Sequence, residues 1–296
     1  MIAFLFPGQG AQSRGMGGAL FDSVKEYALV EAEINKVLGY SVRQLCEHGT
    51  ESMLKQTRYT QPCLFVVNAL HYYDGLAKHG RPAALAGHSL GEYNALMAGG
   101  AFDMVTGVRL VARRAELMSC AASGAMGAVI KLPAERVVEV LHDEGITDVD
   151  VANYNAPIQT VIAGPGSSLA GAAKVFERQG ASYIPLSVSA PFHSRYMTPV
   201  AEQFARFMES FSFNALGIPV ISNATGQFYP QGEPTSVIRS LLTRQITDPV
   251  LWMDGIRHLH NIGVTSLIET GPGSVLTRLN HQIIPAAAHA PAFAQA

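Results

Sequence analysis

The chain has 296 residues, 48% of them hydrophobic, with 21 Lys+Arg against 23 Asp+Glu and a formal charge of −2. That apolar content excludes a disordered chain, and the balanced charge leaves no basic excess to grip a phosphate backbone, which excludes nucleic acid as a partner. Three cysteines, Cys46, Cys63 and Cys120, show neither an even count nor C-x-x-C spacing, so a disulfide scaffold and a structural zinc site are not expected and a reducing, cytoplasmic setting is. The opening MIAFLF lacks a basic lead-in, and no apolar run approaches the roughly 18 residues that span a bilayer, so neither a signal peptide nor a membrane span is expected.

In chain order, Ile2–Phe6 is a short apolar run ended by Pro7-Gly8-Gln9-Gly10, which reads as a buried strand opening into a glycine-rich turn. Helical patterns follow over residues 19–38 and 61–79, each with a glycine stop, Gly39 and Gly80. A second strand at 83–86 runs into Gly87-His88-Ser89-Leu90-Gly91 and a helix through Leu96, and a further helix covers 103–120. Strand, helix, strand, helix is the grammar of a parallel sheet with covered faces.

From Gly124 the rhythm changes to a strand at 127–132, a helix at 133–145, strands at 149–153 and 160–164, a helix at 168–179 and a strand at 182–187. This β-α-β-β-α-β order is the ferredoxin-like arrangement. The larger elements then resume with a helix at 197–209, a strand at 218–221, helices at 237–244 and 251–261, a strand at 266–268 and a last helix after Gly271-Pro272-Gly273. The reading is a discontinuous large α/β domain, residues 1–123 and 191–284, interrupted by a small subdomain at 124–190. An Ala/Pro-rich tail at 285–296 is expected to be mobile.

G-x-S-x-G alone is a weak signal in a glycine-rich chain; its place between a strand and a helix strengthens it. The sharp turn projects the Ser89 hydroxyl, and the helix N-terminus offers free N–H groups to a developing oxyanion. The competing reading is a glycine-rich turn with a solvated serine. A serine nucleophile needs a base, and His88, adjacent on a tight turn, points elsewhere. An ordinary α/β-hydrolase order nominates the late His258, His260 or His281, of which the first two sit on what reads as a solvated helix face. His193 follows Ala190-Pro191-Phe192 where the small subdomain ends, and domain junctions are favoured ligand sites; a locally satisfied loop histidine is the alternative.

The helix at 103–120 carries the most informative charge. Arg109 and Arg113 share a side with Glu116, as on a solvated face, whereas Arg114 has Leu110, Val111, Leu117 and Met118 as its helical neighbours. A guanidinium on an apolar stripe is costly unless it meets an anion. Periodicity leaves two candidates for that anion, a ligand carboxylate or a buried Asp or Glu of this chain.

Taken together, Phe6-Pro7-Gly8-Gln9-Gly10-Ala11-Gln12, Thr60-Gln61-Pro62, Gly87-His88-Ser89-Leu90-Gly91-Glu92-Tyr93, Arg114, Asn153-Tyr154-Asn155, Ala190-Pro191-Phe192-His193-Ser194 and Glu269-Thr270-Gly271-Pro272-Gly273 form a specific set. Over roughly residues 1–282 the chain resembles the malonyl-CoA:acyl carrier protein transacylases, and among them the stand-alone acyltransferases that serve polyketide synthases in trans. The resemblance implies a hydrolase-like α/β domain with a ferredoxin-like insert. It implies Ser89 as the acylated nucleophile, His193 as its base, and the backbone N–H groups of Gln9 and Leu90 as the oxyanion hole. Arg114 matches the arginine that pairs with the malonyl carboxylate, and Gln61, Asn155, Phe192 and His88 match supporting or pocket positions. The family histidine is oriented by a backbone carbonyl, which the resemblance places in Pro249-Val250-Leu251-Trp252, at Leu251.

The implied reaction is ping-pong transfer of malonyl from malonyl-CoA through Ser89 to the phosphopantetheine thiol of a holo acyl carrier protein, without a permanently bound cofactor or metal and with a monomer as the default. Phe192 before the histidine implies malonyl over methylmalonyl, although Pro191 stands where a small residue is more usual. Asn94 and Phe192-His193-Ser194-Arg195 look more like the polyketide group than the fatty acid one. The rival readings are an acyl hydrolase of the same family that clears carrier proteins, a lipase or esterase, and a non-enzymatic carrier-docking module. Arg114 speaks against the hydrolase, because an uncharged acyl group would leave its guanidinium unpaired.

Overall fold

Ala3, Phe4, Leu5 and Phe6 are all fully buried, as in a strand covered on both faces. This strand, β1 (Ile2–Phe6), lies at the centre of a parallel sheet between β2 (Ala84–Gly87) and β7 (Ser266–Glu269). Side chains alternate across it. Phe4 and Phe6 join the core made with helices Thr57–His79 and Met104–Ser119, while Ala3 and Leu5 join the core of Trp252, Ile256, Leu276 and Leu279 on the other side. The strand expected at 218–221 is reduced to isolated bridges, Val220 parallel to Leu85 and Ile221 antiparallel to Phe228. The computed structural model describes residues 1–284; the tail at 285–296, expected to be mobile, lies outside the described residues.

The second sheet is antiparallel throughout, in the order β4-β5-β3-β6, with β3 (Ala125–Ile130), β4 (Asp150–Ala156), β5 (Gln159–Gly164) and β6 (Ser182–Pro185). Helices Ala134–Asp143 and Gly166–Arg178 complete the βαββαβ order and bury Val129, Val137, Ile162 and Phe176 in a core of their own. The opposite face turns Met126, Ala128 and Val161 toward a cleft between the two sheets. The architecture is α/β, a parallel sheet with covered faces and a separate small antiparallel sheet. The two parts are tied where Tyr154 N–H donates to the Val250 carbonyl and Val250 N–H to that of Ala152, both at 2.9 Å, and where Arg195 Nε donates to Asp150 at 2.8 Å.

One expected helix is three. Residues 19–38 form Leu20–Ser23, Lys25–Ala28 and Glu31–Leu38, with Val24 extended (φ −88°, ψ 103°) and Val30 outside the helical region (φ −122°, ψ −2°). A straight helix would place Phe21 and Tyr27 about 120° apart around its axis, and the bend lets both reach the core. Among the described residues no helix is long and apolar enough to cross a membrane.

Candidate active site

Ser89 sits between β2 and helix Gly91–Gly99 with φ +51°, a conformation an L-residue adopts only when its surroundings impose it. The flanking glycines make the turn possible: a Cβ on Gly87 would lie 1.9 Å from the Gly91 carbonyl carbon, and one on Gly91 would lie 2.0 Å from the Phe6 oxygen. Asn223 holds the turn, its Oδ1 accepting the Ser89 N–H and its Nδ2 donating to the Gly87 carbonyl, both at 2.6 Å.

His193 also has a positive φ, +57°, and is buried at the junction between the two parts of the fold. Its Nδ1 lies 2.8 Å from the backbone carbonyl of Gln245 and its Nε2 lies 2.7 Å from Ser89 Oγ. A carbonyl only accepts, so Nδ1 carries the proton and the Nε2 lone pair receives the serine hydroxyl. Burial, followed by the positive charge of Arg114, pushes His193 down to about 3, with the Gln245 carbonyl opposing the shift.

The expected carbonyl at Leu251 is therefore corrected to Gln245, six residues earlier. Leu251 precedes helix Trp252–Asn261 and its carbonyl is occupied by the Gly255 N–H at 3.0 Å, whereas Gln245 lies near the end of helix Pro234–Thr247, where carbonyls lose their intrahelical donors.

Arg114 is fully buried on helix Met104–Ser119. Its Nη1 donates to Gln61 Oε1 at 2.8 Å; its Nη2 donates to Gln245 Oε1 at 3.1 Å and to Ser89 Oγ at 3.2 Å. The guanidinium carbon lies 5.4 Å from the centre of the Tyr93 ring, and among the described residues Nε has no hydrogen-bond partner. Among the same residues no Asp or Glu comes within ion-pair distance of Arg114; the buried Glu92 carboxyl acts on it through its charge and through the bridging Gln245 amide, not by direct contact. Arg109 and Arg113 behave as a solvated face, pairing with Glu33 at 3.3 Å and Glu116 at 2.7 Å.

Ser89, His193, Arg114 and Gln61 line a cleft of about 230 Å³. Gln9 reaches it through the close turn after β1, where a Cβ on Gly8 would come within 2.4 Å of the His88 oxygen. The Gln9 and Leu90 N–H groups have no hydrogen-bond partner among the described residues, while the Ser89 N–H is taken by Asn223. Phe192, His88, Gln61 and Asn155 line the same cleft. His88 is half-buried and lies 2.8 Å, through Nε2, from Asn155 Oδ1, so it is held away from the serine. The late histidines stand apart. His281 is exposed, and His258 is half-buried with its ring edge against Phe228 at 4.9 Å instead of fully solvated. Among the described residues no cluster of His, Cys, Asp or Glu could hold a metal.

Three site residues escape the sequence reading: Gln245, Asn223 and Glu92. Glu92 is fully buried and accepts from Tyr229 Oη at 2.6 Å, Gln245 Nε2 at 2.7 Å and the Asn223 N–H at 3.2 Å. Burial pushes its carboxyl up to about 7, against the pull of those donors and of Arg114. A usable signal exists for Gln245, which follows Leu241 and Leu242 at helical spacing, the same apolar-stripe pattern that singles out Arg114.

A serine hydrogen-bonded to a neutral imidazole, beside two free N–H groups and a buried cation, defines a site for acyl transfer through a serine ester. The sequence profile described as "Acyl transferase domain" matches residues 3–292. The chain belongs to the acyl transferase family. It is 45% identical over 286 residues to the polyketide biosynthesis malonyl CoA-acyl carrier protein transacylase BaeC of Bacillus velezensis, covering 96% of each chain. Among solved structures it matches malonyl CoA-acyl carrier protein transacylase from Burkholderia pseudomallei with a TM-score of 0.89 at 44% identity, over 96% of this chain and 97% of that one. A malonyl-transacylase solved in complex with a type II polyketide synthase acyl-carrier protein matches with a TM-score of 0.89 at 35% identity, over 96% and 93%.

Proposed function

We propose that the protein transfers a malonyl group from malonyl-CoA to the phosphopantetheine thiol of an acyl carrier protein through an ester on Ser89. The observation that carries this reading is Arg114, a fully buried guanidinium 3.2 Å from the Ser89 hydroxyl and bonded only to neutral oxygens. A buried guanidinium without a direct ion pair is costly, Glu92 reaching it only through the Gln245 amide, and a substrate carboxylate presented to its fork would offset that cost. The names of the relatives, and the carrier-bound neighbour, support both the malonyl group and the partner.

In the first half-reaction Nε2 of His193 takes the Ser89 proton as Oγ attacks the thioester carbonyl. The oxyanion is received by the Gln9 and Leu90 N–H groups, and the C–S bond breaks, the CoA thiolate taking the proton back from the imidazolium. In the second, the carrier thiol gives its proton to His193 and attacks the ester; the C–O bond breaks and Ser89 recovers its proton. Arg114 holds the far end of the acyl chain through both steps, so binding energy fixes the ester's position for a thiol. The three unpaired cysteines suit a reducing, cytoplasmic setting, and the pantetheine arm arrives on the carrier, so no bound cofactor is needed.

The experiment is partition of the acyl-enzyme. With labelled malonyl-CoA and a holo carrier protein, label on the carrier in excess of free malonate supports the transferase. Release as free malonate regardless of carrier concentration supports the acyl hydrolase instead.

A further inference from the structure

Beneath Ser89 lies a buried polar cluster that the two half-reactions do not use, with the Glu92 carboxylate at its centre. Each amide-bearing partner of Glu92 faces two ways. Gln245 Nε2 donates to Glu92 Oε2 at 2.7 Å and to the Ser89 carbonyl at 2.8 Å, which leaves its Oε1 facing Arg114 Nη2 at 3.1 Å. Asn223 donates its backbone N–H to Glu92 while its side chain holds the Ser89 N–H and the Gly87 carbonyl.

The two ends of a side-chain amide have the same shape, and only the partners decide which end points where. Glu92 Oε1 is filled by Tyr229 Oη and the Asn223 N–H, while its Oε2 and the Ser89 carbonyl both accept from Gln245 Nε2, so these acceptors together require the nitrogen end of Gln245 and turn its oxygen end to the guanidinium. Gln61 Oε1 holds the other arm of the same guanidinium at 2.8 Å. With both acceptors in place the fork has one bearing.

We propose that Glu92 is a positioning residue for acyl-group selection: by fixing the Gln245 amide it aims Arg114 at the carboxylate end of the acyl group. The inference rests on the malonyl-transfer reading. Glu92 touches neither substrate nor reacting atoms, so its effect falls on donors that use Arg114 and spares those that do not.

Glu92→Gln puts an NH₂ group among donors, and its expected effect is a fall of about tenfold or more in the malonyl-over-acetyl ratio of kcat/KM for Ser89 acylation, carried by KM for malonyl-CoA. Gln245→Met, which removes the amide at similar volume, gives the same fall, and Glu92→Gln adds nothing in that background because the two act in series. Thermal midpoints accompany each variant. If Glu92→Gln does not fold, Gln245→Met alone decides. An equal loss with malonyl and acetyl donors, a parent-like ratio, or additive effects of the two substitutions would overturn the proposal. A parent that takes no malonyl ester would instead contradict the malonyl-transfer reading itself.

Discussion

The ring of His193 is held by the backbone carbonyl of Gln245, 2.8 Å from Nδ1, and by no carboxylate. A neutral dipole fixes the tautomer without stabilising an imidazolium as a carboxylate would. The base is therefore weak and always available.

The pH dependence follows from that pairing. Burial and then Arg114 push His193 down to about 3, so its Nε2 stays unprotonated as pH falls through the ordinary histidine range. Ser89 acylation by acetyl-CoA, a donor that does not use Arg114 and so is blind to Glu92, should stay flat in single-turnover experiments from about pH 8 to about pH 5, with no inflection near the ordinary histidine value. A drop centred there would show the imidazole to be more easily protonated than its burial implies. The same shift bears on stability. The folded-state value lies below the unfolded one, so His193 contributes stability fully present above the ordinary histidine value and lost progressively as pH falls toward about 3.

His193→Ala keeps the nucleophile and the free N–H groups but removes the proton acceptor 2.7 Å from Oγ. The acylation rate should fall by about 10²- to 10⁴-fold, the range of a positioned base, measured by rapid quench with malonyl-CoA. A loss below tenfold would mean another group takes the proton.

Arg114→Lys keeps the charge but loses the fork that meets Gln61 and Gln245 together. The expected outcome is a rise in KM for malonyl-CoA with little change for acetyl-CoA. Arg114→Ala should lose about 10²-fold in malonyl kcat/KM, because charge-assisted bonds contribute about 1.5–3 kcal/mol each. An equal change for both donors would remove the carboxylate from Arg114.

Phe192 is buried against the cleft next to His193, and on the malonyl-transfer reading it would limit the room beside the acyl α-carbon. Phe192→Ser should narrow the preference for malonyl over methylmalonyl by about tenfold or more, since a methyl-sized difference is worth about 1–3 kcal/mol. Competition between the two CoA esters, read by mass, measures the ratio directly.

The order of the elements was legible because strands of period two and helices of period 3.6 leave distinct traces, and the βαββαβ segment stood out by its rhythm. What failed was governed by tertiary contact. Val24 bends a run that reads as one helix so that Phe21 and Tyr27 share a core. Helix Thr57–His79 begins four residues ahead of the expected start and carries Pro62 within it, although proline favours a first turn. In the site, a turn, a junction and a stripe single out Ser89, His193 and Arg114 as candidates, and the family resemblance supplies their roles. Gln245 holds His193 through its main chain, which no side-chain pattern reports, and Glu92 and Asn223 meet each other across 131 residues of sequence.

The central claim is that Ser89 carries a malonyl ester whose far carboxylate is held by Arg114, and intact-protein mass spectrometry after mixing with malonyl-CoA tests it most directly. The parent should gain one malonyl unit that disappears on adding holo carrier protein, Ser89→Ala should gain none, and Arg114→Ala should gain it far more slowly. An adduct that persists in Ser89→Ala, or that forms as fast without Arg114 as with it, would contradict the account.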